Sequence, residues 1–202
     1  MSKEQEFWNW FEENEAKFFF LNQIDDENEK ERLLDYFLER LHDYCDKLYF
    51  LIGGRPDEIQ ELIITAEGDT SLFEKVEELV KHAPSLPHWK VIAFKPAREE
   101  DFTTVYADVK LDPKMMYFIP LHSENSEKLG LRVYIDDYEQ TDTDDFLTAT
   151  YIVLDTILGE KSSALDIGYV ELENLPPGAE REELIELSKL PRYVAWKKSK
   201  VK

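Results

Sequence analysis

The chain has one cysteine, seven glycines and nine prolines in 202 residues, and only 24 basic side chains against 44 acidic ones. A single cysteine, Cys45, forbids an internal disulfide. It falls on the apolar face of a candidate helix and reads as a small buried hydrophobe. No apolar run approaches the ~20 residues that crossing lipid demands, which excludes a membrane-spanning helix. The opening MSKEQEF has no apolar signal core, so a reducing cytoplasm is the expected compartment. Aromatic residues at 13% and scattered strand-like runs exclude a collagen, a coiled-coil rod and a disordered chain.

Catalytic signatures are also missing. There is no GxxxxGK(S/T), no GxGxxG after a strand, no GxSxG, no CxxC and no HExxH. His82 and His88 flank the APSLP connection, but two histidines on a loop are a weak ligand set. His82 is better read at the end of its helix, where the dipole favours positive charge. No metal, cofactor or catalytic residue is expected.

What the chain has in quantity is acid. Its net charge of −20 should repel phosphate backbones and anionic membrane surfaces, so nucleic-acid and membrane partners are excluded and a basic protein is favoured. The charge is uneven. From Lys189 onward there are six bases and no acid, leaving 18 bases against 44 acids in residues 1–188, a net of −26. Tyr193, Val194 and Trp196 give this basic tail apolar anchors, so it is expected to pack back onto its own acidic body.

Hydrophobic periodicity predicts an N-terminal helix pair over 1–47. Phe7, Phe11 and Phe18 share one stripe of the first helix, with Trp8 and Phe19 beside it. In the second, Leu34, Phe37, Leu38, Leu41, Cys45 and Leu48 form a stripe opposite Glu31, Asp35, Glu39, Asp43 and Asp46. The period then changes to two. LYFLIGG (48–54) and EIQELIITA (58–66) read as strands joined by a turn at Arg55, Pro56 and Asp57. A helix follows over 70–83 with Ser71 and Glu74 at capping-box spacing, then strand WKVIAF (89–94).

The order recurs in strands at 115–123 and 129–137, a helix at 141–158 ended by Gly159, and a strand at 164–172. An edge hairpin near 105–111 lies between the halves, and a short helix precedes the basic tail. This is an α+β protein, expected as one domain over 1–202. Its parts are the helix pair (1–47), a first ββαβ half (48–96), a hairpin with a second ββαβ half (97–172), and the C-terminal helix and tail (173–202). Two such ferredoxin-like halves would form a mostly antiparallel sheet with helices on one face.

ITAEG, then a helix, then AP and WKVIAFKP, with LDTILGE later, resembles a family of uncharacterised bacterial proteins, a domain of unknown function. The match covers about 48–96 and 146–160. The resemblance implies a soluble bacterial domain and brings no reaction, cofactor or catalytic residue with it.

Three groups of residues are candidate sites. Phe7, Trp8 and Phe11 are either core or a surface aromatic patch for a partner. Glu67 and Asp69 stand where the central strand of the first half hands over to a helix, and Asp136 and Asp137 stand at the equivalent point of the second. Carboxylates so placed can bind a small ligand or a divalent cation, or simply cap helices. Arg132, Tyr134 and Asp136 alternate with Leu131, Val133 and Ile135, giving a polar strip that could meet a ligand or partner, with Thr65 and Glu67 on the corresponding face. The expected function is a non-enzymatic acidic protein-binding or accessory domain, for example an inhibitor of a basic protein. A carboxylate-based ligand binder or metal-dependent enzyme and a structural homodimer are the alternatives; the chain is a monomer or a homodimer.

Overall fold

Ser2 starts the first helix through a capping box: its Oγ accepts from the Gln5 backbone N–H at 3.3 Å, and the Gln5 carboxamide accepts from the Ser2 N–H at 3.2 Å. In the computed structural model this helix, α1, spans Lys3–Phe19. Residues 1–55, 58–98, 101–122, 126–138 and 142–200 are described. The chain divides into two compact units, Met1–Lys95 and Pro96–Lys202.

In the first unit, Asp26 caps α2 (Glu27–Tyr44) by accepting from the Asn28 N–H at 3.0 Å. Then come β1 (Tyr49–Gly53), β2 (Gln60–Thr65), α3 (Phe73–Lys81) and β3 (Trp89–Ala93). The sheet order is β1-β2-β3. β1 and β2 are antiparallel, with Phe50 opposite Ile64 and Ile52 opposite Leu62. β3 runs parallel to β2 because α3 carries the chain back across the sheet before it re-enters. Gly54, at φ +128°, turns the chain out of β1, and a Cβ there would lie 2.9 Å from the Gln60 carboxamide. Gln60 is buried and donates to the carbonyls of Arg55 (2.7 Å) and Glu58 (3.0 Å). Pro56 and Asp57, expected at this turn, lie outside the described residues.

The core of this unit is aromatic. Phe37 of α2 lies 5.8 Å from Phe7, 5.8 Å from Phe11, 5.2 Å from Phe18 and 4.0 Å from Phe50, measured between ring centroids. Most of these meet edge to face, the arrangement their quadrupoles favour. The side of the sheet bearing Phe50, Leu62 and Ile64 therefore faces the helices.

The second unit holds the hairpin β4 (Thr104–Tyr106) and β5 (Val109–Leu111), then β6 (Tyr117–Leu121) and β7 (Leu129–Ile135). It continues through α4 (Thr143–Leu158), α5 (Glu160–Asp166), β8 (Ile167–Asn174), β9 (Ile185–Glu186) and α6 (Leu190–Lys200). The larger sheet has the order β8-β7-β6-β9. β6 and β7 are antiparallel, and β8 returns parallel to β7 after the two helices. Leu129, Leu131, Val133 and Ile135 are buried at every second position of β7, in one core with Ala149, Val153 and Leu154 of α4.

The α+β class stands, but one mostly antiparallel sheet does not. Three small sheets form, and the two larger ones are mixed, because each helical crossover sets its last strand parallel to the strand before. Ser71 is not the cap expected at 70–83: Asp69 accepts from the Ser71 N–H at 3.0 Å and opens a single 3-10 turn, Thr70–Leu72, before α3. Residues 164–166 are helical rather than extended. Gly159, at φ +76°, ends α4 and starts α5 directly. The basic tail is the helix α6, and Val194 is buried as expected, but Trp196 is 54% exposed and rests on Tyr193, 5.5 Å between ring centroids, rather than entering the core. Lys198 pairs with Asp166 at 2.6 Å. The expected element ends at Ser123 and Thr141, and the terminal Lys202, lie outside the described residues. No described helix is long and apolar enough to cross a membrane.

Candidate functional site

A sheet edge is a row of N–H and C=O groups that want partners, and proteins normally cover or blunt it. β1 is an edge strand. Among the described residues, nothing pairs with its outer side. Its sequence, YFLI, is apolar on both faces. Phe50 and Ile52 turn toward the helices, which leaves Tyr49 and Leu51 on the other face at 45% and 44% exposure.

The helix beside β1 is also wider in its apolar stripe than the core requires. Phe37 and Leu41 are fully buried, while Leu34 and Leu38 are only half covered. Between α2 and β1 this leaves a groove of about 400 Å³, lined by Leu21, Leu34, Leu38 and residues 49–52, with Lys30 and Asp35 also in its wall. A row of backbone groups next to an apolar trough suits an extended peptide that adds a strand and drops alternate side chains into the trough. The surrounding field is negative: residues 1–95 carry 22 acids and 11 bases, a net charge of −11.

The second unit shows what an extended segment does at the matching position. β6, like β1, is the first strand of an antiparallel pair whose second strand is followed by a helical crossover. Its outer edge is occupied by β9, which runs antiparallel to it and sets Tyr117 opposite Glu186 and Phe118 opposite Ile185.

The expected sites fare differently. The surface aromatic patch is corrected: Phe7, Trp8 and Phe11 are 4%, 2% and 0% exposed. They are core because the stripe they share faces Phe37 and the sheet. Phe11 lies 5.2 Å from Trp89, and Trp8 Nε1 donates to the Leu79 carbonyl at 2.7 Å. Glu67 and Asp69 lie in the first unit, and Asp136 and Asp137 in the second. Glu67 stands at φ +49° just past β2 and pairs with Lys95 at 2.6 Å. Asp69 serves the 3-10 turn, and hydrogen bonds from Ser71 hold its carboxyl below the usual range. Asp136 and Asp137 are exposed just beyond β7, Asp137 at φ +54°.

In the polar strip, Arg132 Nε donates to the Glu171 carboxylate on β8, directly across the parallel register. That hydrogen bond, with a further one to Tyr134, raises the guanidinium pKa. Tyr134 is half-buried and lies opposite Glu173. Among the described residues no three His, Cys, Asp or Glu side chains gather as a metal site would require. His82 Nδ1 lies 2.8 Å from the Glu78 carbonyl at the C-terminal end of α3.

The groove was missed because Leu34, Leu38 and the whole YFLI run read as core. The available signal was surplus: four consecutive apolar residues in a strand and an overly broad stripe on the adjacent helix. Comparison with known proteins adds no relative: no family model, curated protein or solved structure matches this chain.

Proposed function

We propose that this protein is a non-enzymatic binding module that receives an extended, basic segment of a protein partner along β1. The observation that carries the reading is the contrast between the two matching edges. The outer side of β6 holds an antiparallel strand supplied by the chain itself, whereas among the described residues nothing pairs with the outer side of β1, which lies above an apolar groove. Main-chain hydrogen bonds would give affinity, and the groove would select apolar side chains at alternate positions. The charge of −11 on residues 1–95 selects the partner's sign and speeds encounter. The same charge disfavours a second copy of this chain as the occupant, since like fields repel.

Two finer readings accompany it. The two units are variants of one ferredoxin-like ββαβ plan, supported by the shared sequence of an antiparallel pair, a helical crossover and a parallel return. The setting is a bacterial cytoplasm, supported by the motif resemblance and by the one thiol, Cys45, which is buried.

A labelled ten-residue peptide of alternating valine and lysine tests the reading by fluorescence anisotropy. It should bind, weaken with added salt, and lose at least about tenfold on Leu51→Lys, which sets a like charge in the strand that must pair. Equal binding of the valine–glutamate counterpart, or indifference to Leu51→Lys, would reject the groove. A dimer mass for the free protein that falls to monomer with Leu51→Lys would assign the edge to a second copy instead.

A further inference from the structure

The second unit has its own cavity, separate from the β1 groove in position and in charge. It has a volume of about 480 Å³, within the size range of small-molecule sites, which runs from roughly 300 to 1,000 Å³. Three bases line it: Arg98, Lys114 and Arg192. Two acids line it too, but both are engaged. Asp101 holds the Lys114 ammonium at 2.7 Å, and the Asp112 carboxylate accepts from the Lys114 backbone N–H at 2.9 Å. The guanidiniums of Arg98 and Arg192 make no ion pair or side-chain hydrogen bond among the described residues. In a chain with 44 acids and 24 bases, two arginines in one cavity with no such partner among the described residues stand out against the composition.

Neither arginine is explained by the helices alone. Arg192 lies in the first turn of α6, where a base opposes the positive end of the helix dipole, and that turn carries no acid. Arg98 is fixed by its backbone, whose N–H donates to the Thr156 carbonyl at 2.8 Å near the end of α4. Phe102 and Ile157 supply apolar wall between the charged groups. A guanidinium presents its N–H donors in a planar fork that matches the oxygens of a phosphate or carboxylate.

We propose that this cavity binds a small organic anion, an oxyanion head held by Arg98 and Arg192 on a short body resting against Phe102 and Ile157. The head is a phosphate or a carboxylate, and the two are separated by the probes. This site is independent of the β1 groove.

The test is calorimetric titration of the full chain at low salt with phenyl phosphate, phenylacetate and neutral benzyl alcohol. One anion should bind with 1:1 stoichiometry, and the stronger of the two identifies the head group. Benzyl alcohol should give no heat. Arg98→Gln and Arg192→Gln should each weaken binding about tenfold or more, as expected for losing a charge-assisted pair. Both side chains are exposed, so both variants should fold, which circular dichroism checks. Arg98→Lys gives a second reading: it keeps the charge and loses the fork, so affinity should fall without vanishing. Binding of neither anion at 20 mM, equal binding by the double Gln variant, or equal binding of benzyl alcohol would overturn the proposal. So would a lowered melting temperature in Arg98→Gln with unchanged anion affinity, which would make Arg98 a partner of the α4 C-terminus only.

Discussion

The two units meet the same problem at the first strand of their larger sheets and solve it differently. At β6 the chain closes the edge itself with Ile185 and Glu186 of β9, and α6 then adds Leu190 and Val194 to the core. At β1 no described strand arrives, and the neighbouring helix leaves Leu34 and Leu38 half covered. Their cores differ as well. The first gathers aromatic rings around Phe37, and the second is mainly aliphatic around β7 and α4, with Phe118 and Tyr138 among its buried residues. The contrast shows that the free edge does not follow from the antiparallel pair and parallel return that both units share. At β1, backbone groups and apolar surface stay uncovered among the described residues.

The largest effect that sharpens this comparison is in the aromatic core. Phe37→Ala should destabilise the first unit by about 3–5 kcal/mol, since the ring is fully buried among five aromatic neighbours that cannot collapse onto a methyl. Urea unfolding followed by tryptophan fluorescence reads it. A loss under ~1 kcal/mol would mean that the rings do not form a close-packed core.

A second variant breaks the comparison from the other side. Ile185→Pro removes a backbone donor from β9 and should strip it from β6, at a cost of roughly 1–3 kcal/mol for the polar groups left without partners. The second unit should then present an open edge of its own and respond to extended peptides. If Ile185→Pro leaves amide exchange at Phe118 unchanged, β9 is not what protects that edge.

The smallest effect concerns the helices of the first unit. Tyr44 donates its phenol to the Lys75 carbonyl at 3.0 Å. Burial, reinforced by the charge of Glu4, pushes its pKa from the ordinary 10.0 up to about 12. The folded state therefore favours the neutral phenol. That contribution is complete below pH 10, and it is lost as pH rises from 10 toward about 12. The stability difference between the parent and Tyr44→Phe should shrink across that window. A difference that stays constant from pH 9 to 12 would show that Tyr44 ionises equally in both states.

Much of the architecture was legible because its signals were local. The stripe around Phe37 and Leu41 gave α2, the alternation of Leu129, Leu131, Val133 and Ile135 gave β7, and Gly159 marked the end of α4. Where non-local pairing decided the outcome, local pattern was insufficient. Nothing within 185–186 announces a strand, because two residues are extended there only through their pairing with Tyr117 and Phe118. Parallel pairing of β3 and β8 likewise depends on how the crossovers pack. The site was less legible still. Phe7, Trp8 and Phe11 gave the right stripe but an ambiguous face, and only their contacts with Phe37, Leu79 and Trp89 decide it. Arg98 and Arg192 are 94 positions apart in sequence, so no spacing rule could join them.

The central claim is that the outer edge of β1 is a docking edge. Its most direct test is amide hydrogen exchange along residues 49–53 of the full-length protein, with and without the valine–lysine peptide. Strand addition predicts slowed exchange at alternate β1 amides, those whose N–H groups point away from β2, with β6 unchanged. Protection that leaves β1 untouched, or that spreads evenly over both units, would contradict it.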